Sequence, residues 1–145
     1  MRLSALRSLG RSRNGATLVE FALVAPVFFA LLFGTLEFGR ALWIQQALQE
    51  TAIVGARCMA LSQSACTSPI YNAANTTTFI QQVASQWGVS LSDINQNPNT
   101  DCGGVGGFSA VTLSFTFQSI VASLVQIPSS GIPLSATACF PNNNP

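Results

Sequence analysis

The residue that most constrains the chemistry of this chain is Glu20, a carboxylate inside a long apolar run. Ala16 to Leu36 is a stretch of 21 residues in which Glu20 is the only charged side chain. Placing a carboxylate in a membrane span costs about 2.5–3.5 kcal/mol of free energy at the bilayer centre and less toward the interface. An acid at such a position therefore indicates a functional role. Gly15 stands five residues before Glu20, and cleavage after Gly15 would give Ala16 a free α-amino group. That amine is the simplest positive partner for the carboxylate.

Side chains that could perform catalysis are scarce in the rest of the chain. The absence of histidine excludes Ser-His-Asp and Cys-His arrangements. A metal site would need four scattered thiolates, since the sequence has neither histidine nor a Cys-x-x-Cys motif. We therefore expect no enzyme, no metal and no cofactor. An exported enzyme is the alternative, and it would have to use Asp93 and Asp101 as an acid–base pair or use free thiols.

The segment around Glu20 resembles the start of type IV prepilins. In those proteins a prepilin peptidase cuts after a glycine, and a glutamate stands at the fifth position of the mature chain. Here Gly15 stands before the cut, Ala16 becomes the first mature residue and Glu20 the fifth. The resemblance implies that the peptidase is a partner and that it recognises Gly15, Ala16, Glu20 and the following Phe21.

Further positions make the chain similar to the TadE-like family of minor pilins or pseudopilins of tight-adherence (Flp-type) pili. Phe21 follows Glu20 directly, Pro26 comes five residues later, and Glu37-Phe38-Gly39 ends the apolar run. The similarity covers residues 14–61.

The resemblance implies a role in pilus assembly and surface adhesion. Its partners would be other pilins or pseudopilins and the secretion machinery of the pilus, and Glu20 and Pro26 would act in packing helices in the filament core. Major pilins of these systems are little more than a helix, so the domain after the helix favours a minor pilin or pseudopilin. The alternative function is a membrane-anchored extracytoplasmic binding module that never enters a filament.

The charges of the chain are unevenly distributed. Residues 1–13 carry four arginines and no acid, whereas residues 16–145 carry two arginines and five acids. Arginines before a span keep that end in the cytoplasm. We therefore predict a basic leader over residues 1–15, a single pass through the bacterial inner membrane, an extracytoplasmic carboxy-terminal domain and no nucleic-acid partner. A cleaved Sec signal peptide and an uncleaved single-pass anchor are the alternatives.

The fold class predicted from these patterns is α+β, with one long amino-terminal helix over residues 16–61. Residues 16–40 would cross the membrane or form the filament core. Residues 41–61 repeat apolar side chains every three or four positions, which predicts an amphipathic continuation that packs on a domain. Pro26 removes one backbone hydrogen bond and should kink or loosen the helix. The outer membrane interface would be marked by Glu37, Arg40 and Trp43.

The pattern of apolar and polar side chains in residues 62–145 predicts a small domain with one further helix and a short antiparallel sheet of about three strands. The clearest strand is the alternating run from Val111 to Phe117. The other expected elements are a polar connector over 62–75, a helix over 77–87 with Trp87 on its apolar face and Gly88 at its end, a short strand over 89–94, a loop over 95–107, a helix or turn over 120–125, a strand from 132 to 138, and an unstructured tail from 140.

All four cysteines lie beyond the span. An even number of cysteines in an exported segment favours disulfides, and three pairings are possible. Cys58, on the last turn of the long helix, could reach back to Cys66. If the last strand pairs antiparallel with residues 110–117, Cys139 lies near the start of the earlier strand, within loop reach of Cys102. We therefore favour the pairs Cys58–Cys66 and Cys102–Cys139.

Overall fold

The computed structural model of the chain describes residues 14–67, 71–121 and 131–143. The predicted α+β class is confirmed. The elements are two helices and three strands: α1 (Asn14–Ala60), α2 (Ala73–Gln86), β1 (Asp93–Cys102), β2 (Val105–Phe117) and β3 (Ile132–Pro141). The chain divides into two compact units, one that ends at Phe38 and one that begins at Gly39. The predicted leader, up to residue 13, lies outside the described residues.

The described part of the first unit is the amino-terminal half of α1. Pro26 lies within this helix and does not end it. The phenylalanine rings pack along the helix: Phe28 contacts Phe29 edge-on at 5.6 Å, and Phe29 stacks on Phe33 at 6.0 Å. The second contact has the i, i+4 spacing that places side chains on one helix face.

The second unit contains the carboxy-terminal half of α1. The buried side chains recur at helical spacing and form one side of the core: Ile44, Ala47, Leu48, Ala52, Ala56 and Met59. Gly55 is buried among them at a close approach to α2. A methyl group at Gly55 would lie 2.9 Å from Ile80 Cγ1, so a side chain there requires Ile80 to move.

The second helix begins four residues earlier than predicted, at Ala73 instead of Thr77. Asn72 caps it, because its side-chain oxygen accepts hydrogen bonds from the N–H groups of Ala74 and Asn75 at 3.0 and 3.1 Å. This cap lies inside the segment that we predicted to be a polar connector. The predicted end is confirmed, since Gly88 follows the helix with a φ of 71°.

The three strands form one antiparallel sheet in the order β1-β2-β3. Val111, Leu113 and Phe117 of β2 are buried on one face, as the alternation predicts. On the other face the hydroxyl oxygens of Thr112 and Thr137 lie 3.0 Å apart.

Two predictions for residues 89–107 are wrong. The strand begins at Asp93, not at Val89, and the predicted loop over 95–107 is most of a β-hairpin. Gly103 and Gly104, with φ of 64° and 85°, make the two-residue turn between Cys102 and Val105. Asparagine and proline suggested a loop. However, β1 pairs with β2 on one side only, and an edge strand tolerates both residues.

The predicted unstructured tail is also partly strand, because β3 continues to Pro141. Asn142 then donates its backbone N–H to the Gly107 carbonyl at 2.9 Å, and its side-chain oxygen accepts a hydrogen bond from Ser109 at 2.6 Å. The predicted helix or turn over 120–125 is described only at residues 120 and 121, which are helical; the remainder lies outside the described residues.

Both predicted disulfides are present, Cys58–Cys66 and Cys102–Cys139, with Cα–Cα distances of 6.0 and 6.5 Å. The first joins the last turn of α1 to the connector. The second joins Cys102, at the end of β1, to Cys139 of β3. In the sheet, Cys139 pairs with Ala110 of the intervening strand β2.

Within the second unit, β3 runs alongside α1 in the same direction. The Gln45 side chain donates to the Ser135 carbonyl at 2.9 Å, and the Asn143 N–H donates to the Ala60 carbonyl at 3.3 Å. The two contacts are about 22 Å apart along the helix and about 26 Å apart along the strand, which agrees with a near-parallel alignment. The domain therefore has two ends, which we call the Arg40 end and the Ala60 end.

Candidate functional site

The predicted cleavage position lies at the start of α1. Gly15 is the second residue of the helix, and the Gly15–Ala16 bond therefore lies in its first turn. The first four N–H groups of a helix have no intrahelical acceptor, and glycine favours the helix less than other residues except proline. Local unwinding at Gly15 therefore breaks few hydrogen bonds. The side chain of Ala16 lies outside the described side chains.

The carboxylate that the sequence analysis singled out is solvent-exposed on α1. Glu20 lies one helical turn after Ala16, so the two positions share a face about 6 Å apart along the axis. Phe21 beside Glu20 is 68% exposed. The helix thus presents an acid and an aromatic ring side by side, uncovered by the chain itself.

The surface that surrounds Glu20 is apolar from Leu18 to Leu36. The large apolar side chains from Leu18 to Phe38 are 40–72% exposed. No residue in the most apolar 18-residue window of this helix is buried within the chain, and the mean hydropathy of that window is 2.1. By length and composition, α1 is the one candidate membrane span among the described residues.

Pro26 lies in the middle of this apolar surface and is exposed. Its ring nitrogen has no hydrogen, so the carbonyl of Ala22, one turn earlier, lacks its usual donor. The helix continues through this position to Ala60. The expected local loosening and the assembly role of Pro26 stay predictions.

Two of the three predicted membrane-anchor residues, Arg40 and Trp43, contact the domain. The Arg40 guanidinium lies 4.9 Å from the centre of the Phe117 ring, a cation–π distance, and donates to the Gln118 carbonyl at 3.3 Å. Trp43 is 57% exposed and meets the ring of Trp87 edge-on at 5.6 Å. Glu37, the third, is half-buried.

Sequence reasoning did not find the partners of these anchor residues. Phe117 and Trp87 are distant from Arg40 and Trp43 in the chain, and no local pattern links them. The sequence shows the aromatic residues themselves and places Trp87 on the apolar face of the predicted second helix. Its 38% exposure shows that part of the ring remains uncovered.

The described residues offer little that could hold a metal or perform nucleophilic chemistry. All four cysteines are in disulfides. Across residues 14–67, 71–121 and 131–143, no three His, Cys, Asp or Glu side chains cluster in a way that could hold a metal ion. Asp93 and Asp101, the acid pair considered above, stand near opposite ends of β1.

Comparison with known protein families matches residues 15–57 to the family described as TadE-like protein. The resemblance noted in the sequence is thereby confirmed for this segment. The match begins at Gly15 and ends at Arg57, so it covers α1 and stops before α2 and the sheet. No curated protein and no solved structure shows significant similarity to the chain.

Proposed function

We propose that this protein is a minor pilin or pseudopilin of a tight-adherence pilus. A prepilin peptidase removes residues 1–15, the apolar half of α1 holds the protein in the inner membrane, and the same helix then packs among other pilins. The carboxy-terminal domain lies on the extracytoplasmic side and acts in pilus assembly and surface adhesion. The protein has no catalytic activity of its own.

The observation that carries this proposal is the uncovered apolar surface of α1 up to Leu36, on which Glu20 is the only charged side chain after Ala16. Apolar patches of this extent on a folded chain indicate contact with lipid or with other proteins. A helix that leaves a bilayer and enters a filament needs such a surface in both places, since first lipid and then neighbouring helices cover it. The family match supports the proposal because it spans this helix and begins at Gly15.

Glu20 gives the assembled helices a register. In a low-dielectric bundle its carboxylate pairs with the α-amino group of Ala16 of a neighbouring subunit. Desolvation of both charges offsets much of their attraction, so the pair contributes little net stability. Its effect is on specificity, because a subunit out of step would bury an unpaired charge.

Two further features support the proposed orientation and role. The disulfides Cys58–Cys66 and Cys102–Cys139 are typical of an oxidising compartment, which the cytoplasm is not. The described domain from Gly39 onward is far larger than the helix alone, which favours a minor subunit over the main filament subunit.

The first experiment is amino-terminal sequencing of the protein isolated from its host, combined with a Gly15→Leu variant. We expect the native chain to begin at Ala16 and the variant to keep its leader. Gly10→Leu is the matched control, since it places the same side chain in the leader away from the cut, and it should be processed normally. A native chain that still begins at Met1 would contradict the proposal and favour the alternative, a single-pass anchored binding module.

The second experiment separates processing from assembly. Glu20→Ala and Glu20→Gln should leave cleavage largely intact and reduce the number of pili on the cell. Glu50→Ala is the control, because Glu50 lies on the domain half of α1, where its contact is Gln46 at 3.4 Å. Normal piliation in both Glu20 variants would remove the register role.

A further inference from the structure

Among the described residues of the domain, the large apolar side chains that are more than half exposed lie at its Arg40 end, with the exception of Val105. Trp43, Ile120 and Ile132 are 57%, 58% and 59% exposed, and Trp87 is 38% exposed. We call these four side chains the Arg40-end face. Trp87 joins it through the edge contact with Trp43, although it comes from the end of α2. Ile132 joins it from the start of β3.

Contacts within the domain hold the face together. Ile132 pairs with Phe117 in the sheet register, and Phe117 is the ring beneath the Arg40 guanidinium. Ile120 follows Phe117 by three residues. The face is therefore assembled from both helices, from β3 and from the segment after β2, and it exists only when the domain is folded.

The Ala60 end of the domain is different. The hairpin between β1 and β2 lies there and carries one strongly exposed large apolar side chain, Val105, at 61%. Its neighbours are the turn glycines, and Asp101 is exposed nearby. Leu61, which follows Ala60, is 36% exposed. Two scattered apolar side chains among small and polar residues are ordinary for a protein surface.

Chain length places the Arg40-end face close to the membrane surface. Residues 17–36 form a helix about 30 Å long, which matches the hydrocarbon core of a bilayer. Arg40 follows Leu36 by four residues and cannot lie more than about 14 Å from it. Headgroups add about 5–7 Å on each side of the core. Tryptophan favours this interfacial layer.

We propose that the Arg40-end face is a second membrane contact, through which the folded domain rests on the phospholipid headgroups of the bilayer that residues 17–36 cross. This inference rests on the proposed membrane span. The contact supplements the helix anchor and orients the domain on the membrane before assembly. It must be released when the protein enters a filament, so it retards extraction from the bilayer.

The two tryptophans make the proposal directly measurable, because Trp43 and Trp87 are the only ones in the chain. Full-length Trp43→Phe protein, in which Trp87 is the sole reporter, is reconstituted into phosphatidylcholine vesicles. The vesicles contain lipids brominated near the headgroup end of the acyl chains or unbrominated lipids. We expect a blue shift relative to detergent and loss of roughly half the Trp87 emission in the brominated vesicles. Trp87→Phe protein, with Trp43 as reporter, shows the same response beside the span.

Two further variants, made in the Trp43→Phe background, test the face itself. Ile132→Ser should weaken the quenching of Trp87, whereas Val105→Ser, an equally exposed residue at the other end, should leave it unchanged. Near-ultraviolet circular dichroism checks that both variants are folded. Quenching that responds equally to both substitutions would overturn the proposal.

Resistance of the protein to carbonate extraction from the vesicles distinguishes a failure of the proposed membrane span from a failure of the proposed membrane contact of the domain. If the chain is not extracted but Trp87 is not quenched, the membrane contact of the domain is wrong and the span stands. If the chain is extracted, the span is wrong, and the contact that rests on it falls as well.

Discussion

The two halves of α1 have the same secondary structure and opposite surroundings. In the first half, Leu31 is 66% exposed and the side chains around it are large and apolar. In the second half, Leu48 is 1% exposed and lies among small residues such as Ala47 and Ala52. Small residues let a helix approach its neighbours closely, and Gly55 against Ile80 is the extreme case.

This difference in exposure shows that apolar residues on one helix serve two purposes. In the second half they are covered within the chain and stabilise the domain. In the first half they are not covered within the chain, so they add nothing to the stability of the isolated chain. Under the proposed function, lipid or other subunits cover them. A substitution should therefore affect folding in one half and anchoring or assembly in the other.

The largest expected effect comes from shortening one leucine in each half. Leu48→Ala should lower the free energy of unfolding of the domain by about 3 kcal/mol, because it leaves a cavity in the core. Leu31→Ala should change it by less than about 0.5 kcal/mol, because no core contact is lost. Denaturant unfolding of the full chain in detergent, followed by tryptophan fluorescence, measures both, since Trp43 and Trp87 lie in the domain. Equal losses of unfolding free energy in the two variants would contradict the difference between the two halves of α1.

A smaller effect is expected from removing the disulfide that joins the end of α1 to the connector. Cys58 and Cys66 are both 0% exposed and eight residues apart. Replacing both by alanine should lower the free energy of unfolding by about 2.5 kcal/mol, the value that loop closure predicts for this length. The same unfolding measurement applies, with the reduced and oxidised wild type as references. An unchanged midpoint would show that the domain half of α1 does not depend on this link.

The smallest effect concerns Tyr71, which packs against the domain core. Burial raises the pKa of Tyr71 above its ordinary value of 10.0. The folded chain therefore binds this proton more tightly than the unfolded chain. The resulting stabilisation is fully present below pH 10.0 and is lost as the pH rises through the folded pKa.

The titration of Tyr71 can be followed without interference. The chain has one tyrosine and no lysine, and all four cysteines are in disulfides. Tyrosinate absorbance should give a midpoint above 10.0 in the folded protein and near 10.0 after denaturation. Tyr71→Phe should remove this part of the loss of stability at alkaline pH. That result would assign the loss to the domain and not to the first half of α1. A folded midpoint at or below 10.0 would contradict the expectation.

Local patterns in the sequence predicted the elements whose side chains alternate regularly. The apolar run and the spacing of Ile44, Leu48 and Ala52 predicted α1 almost to its ends. The alternation from Val111 to Phe117 predicted β2, and the antiparallel arrangement predicted Cys102–Cys139. The family match over residues 15–57 agrees with the residues that suggested the processing site. The roles of Gly15, Glu20 and Pro26 stay predictions.

The elements missed were those that long-range contacts stabilise against their own composition. β1 is rich in asparagine and contains Pro98, and it forms because Ile94 faces Leu113 and Gln96 faces Val111 in β2. Gln96 also donates to Thr77 of α2 at 2.6 Å. The adjacent glycines at 103 and 104 were the available signal for this hairpin, since two glycines suit a tight turn.

The amino-acid sequence alone was enough to show that a long apolar run carries a lone carboxylate five residues after a glycine, because hydropathy and spacing are local properties. It also determined the class of the fold, through patterns that repeat within single elements. The sequence did not predict that Arg40 lies on Phe117, that Trp87 contacts Trp43, or that an asparagine-rich segment forms an edge strand. These features were visible in the folded domain alone. These contacts join residues far apart in the chain, and they form because the folded domain brings its helices and strands to a common end.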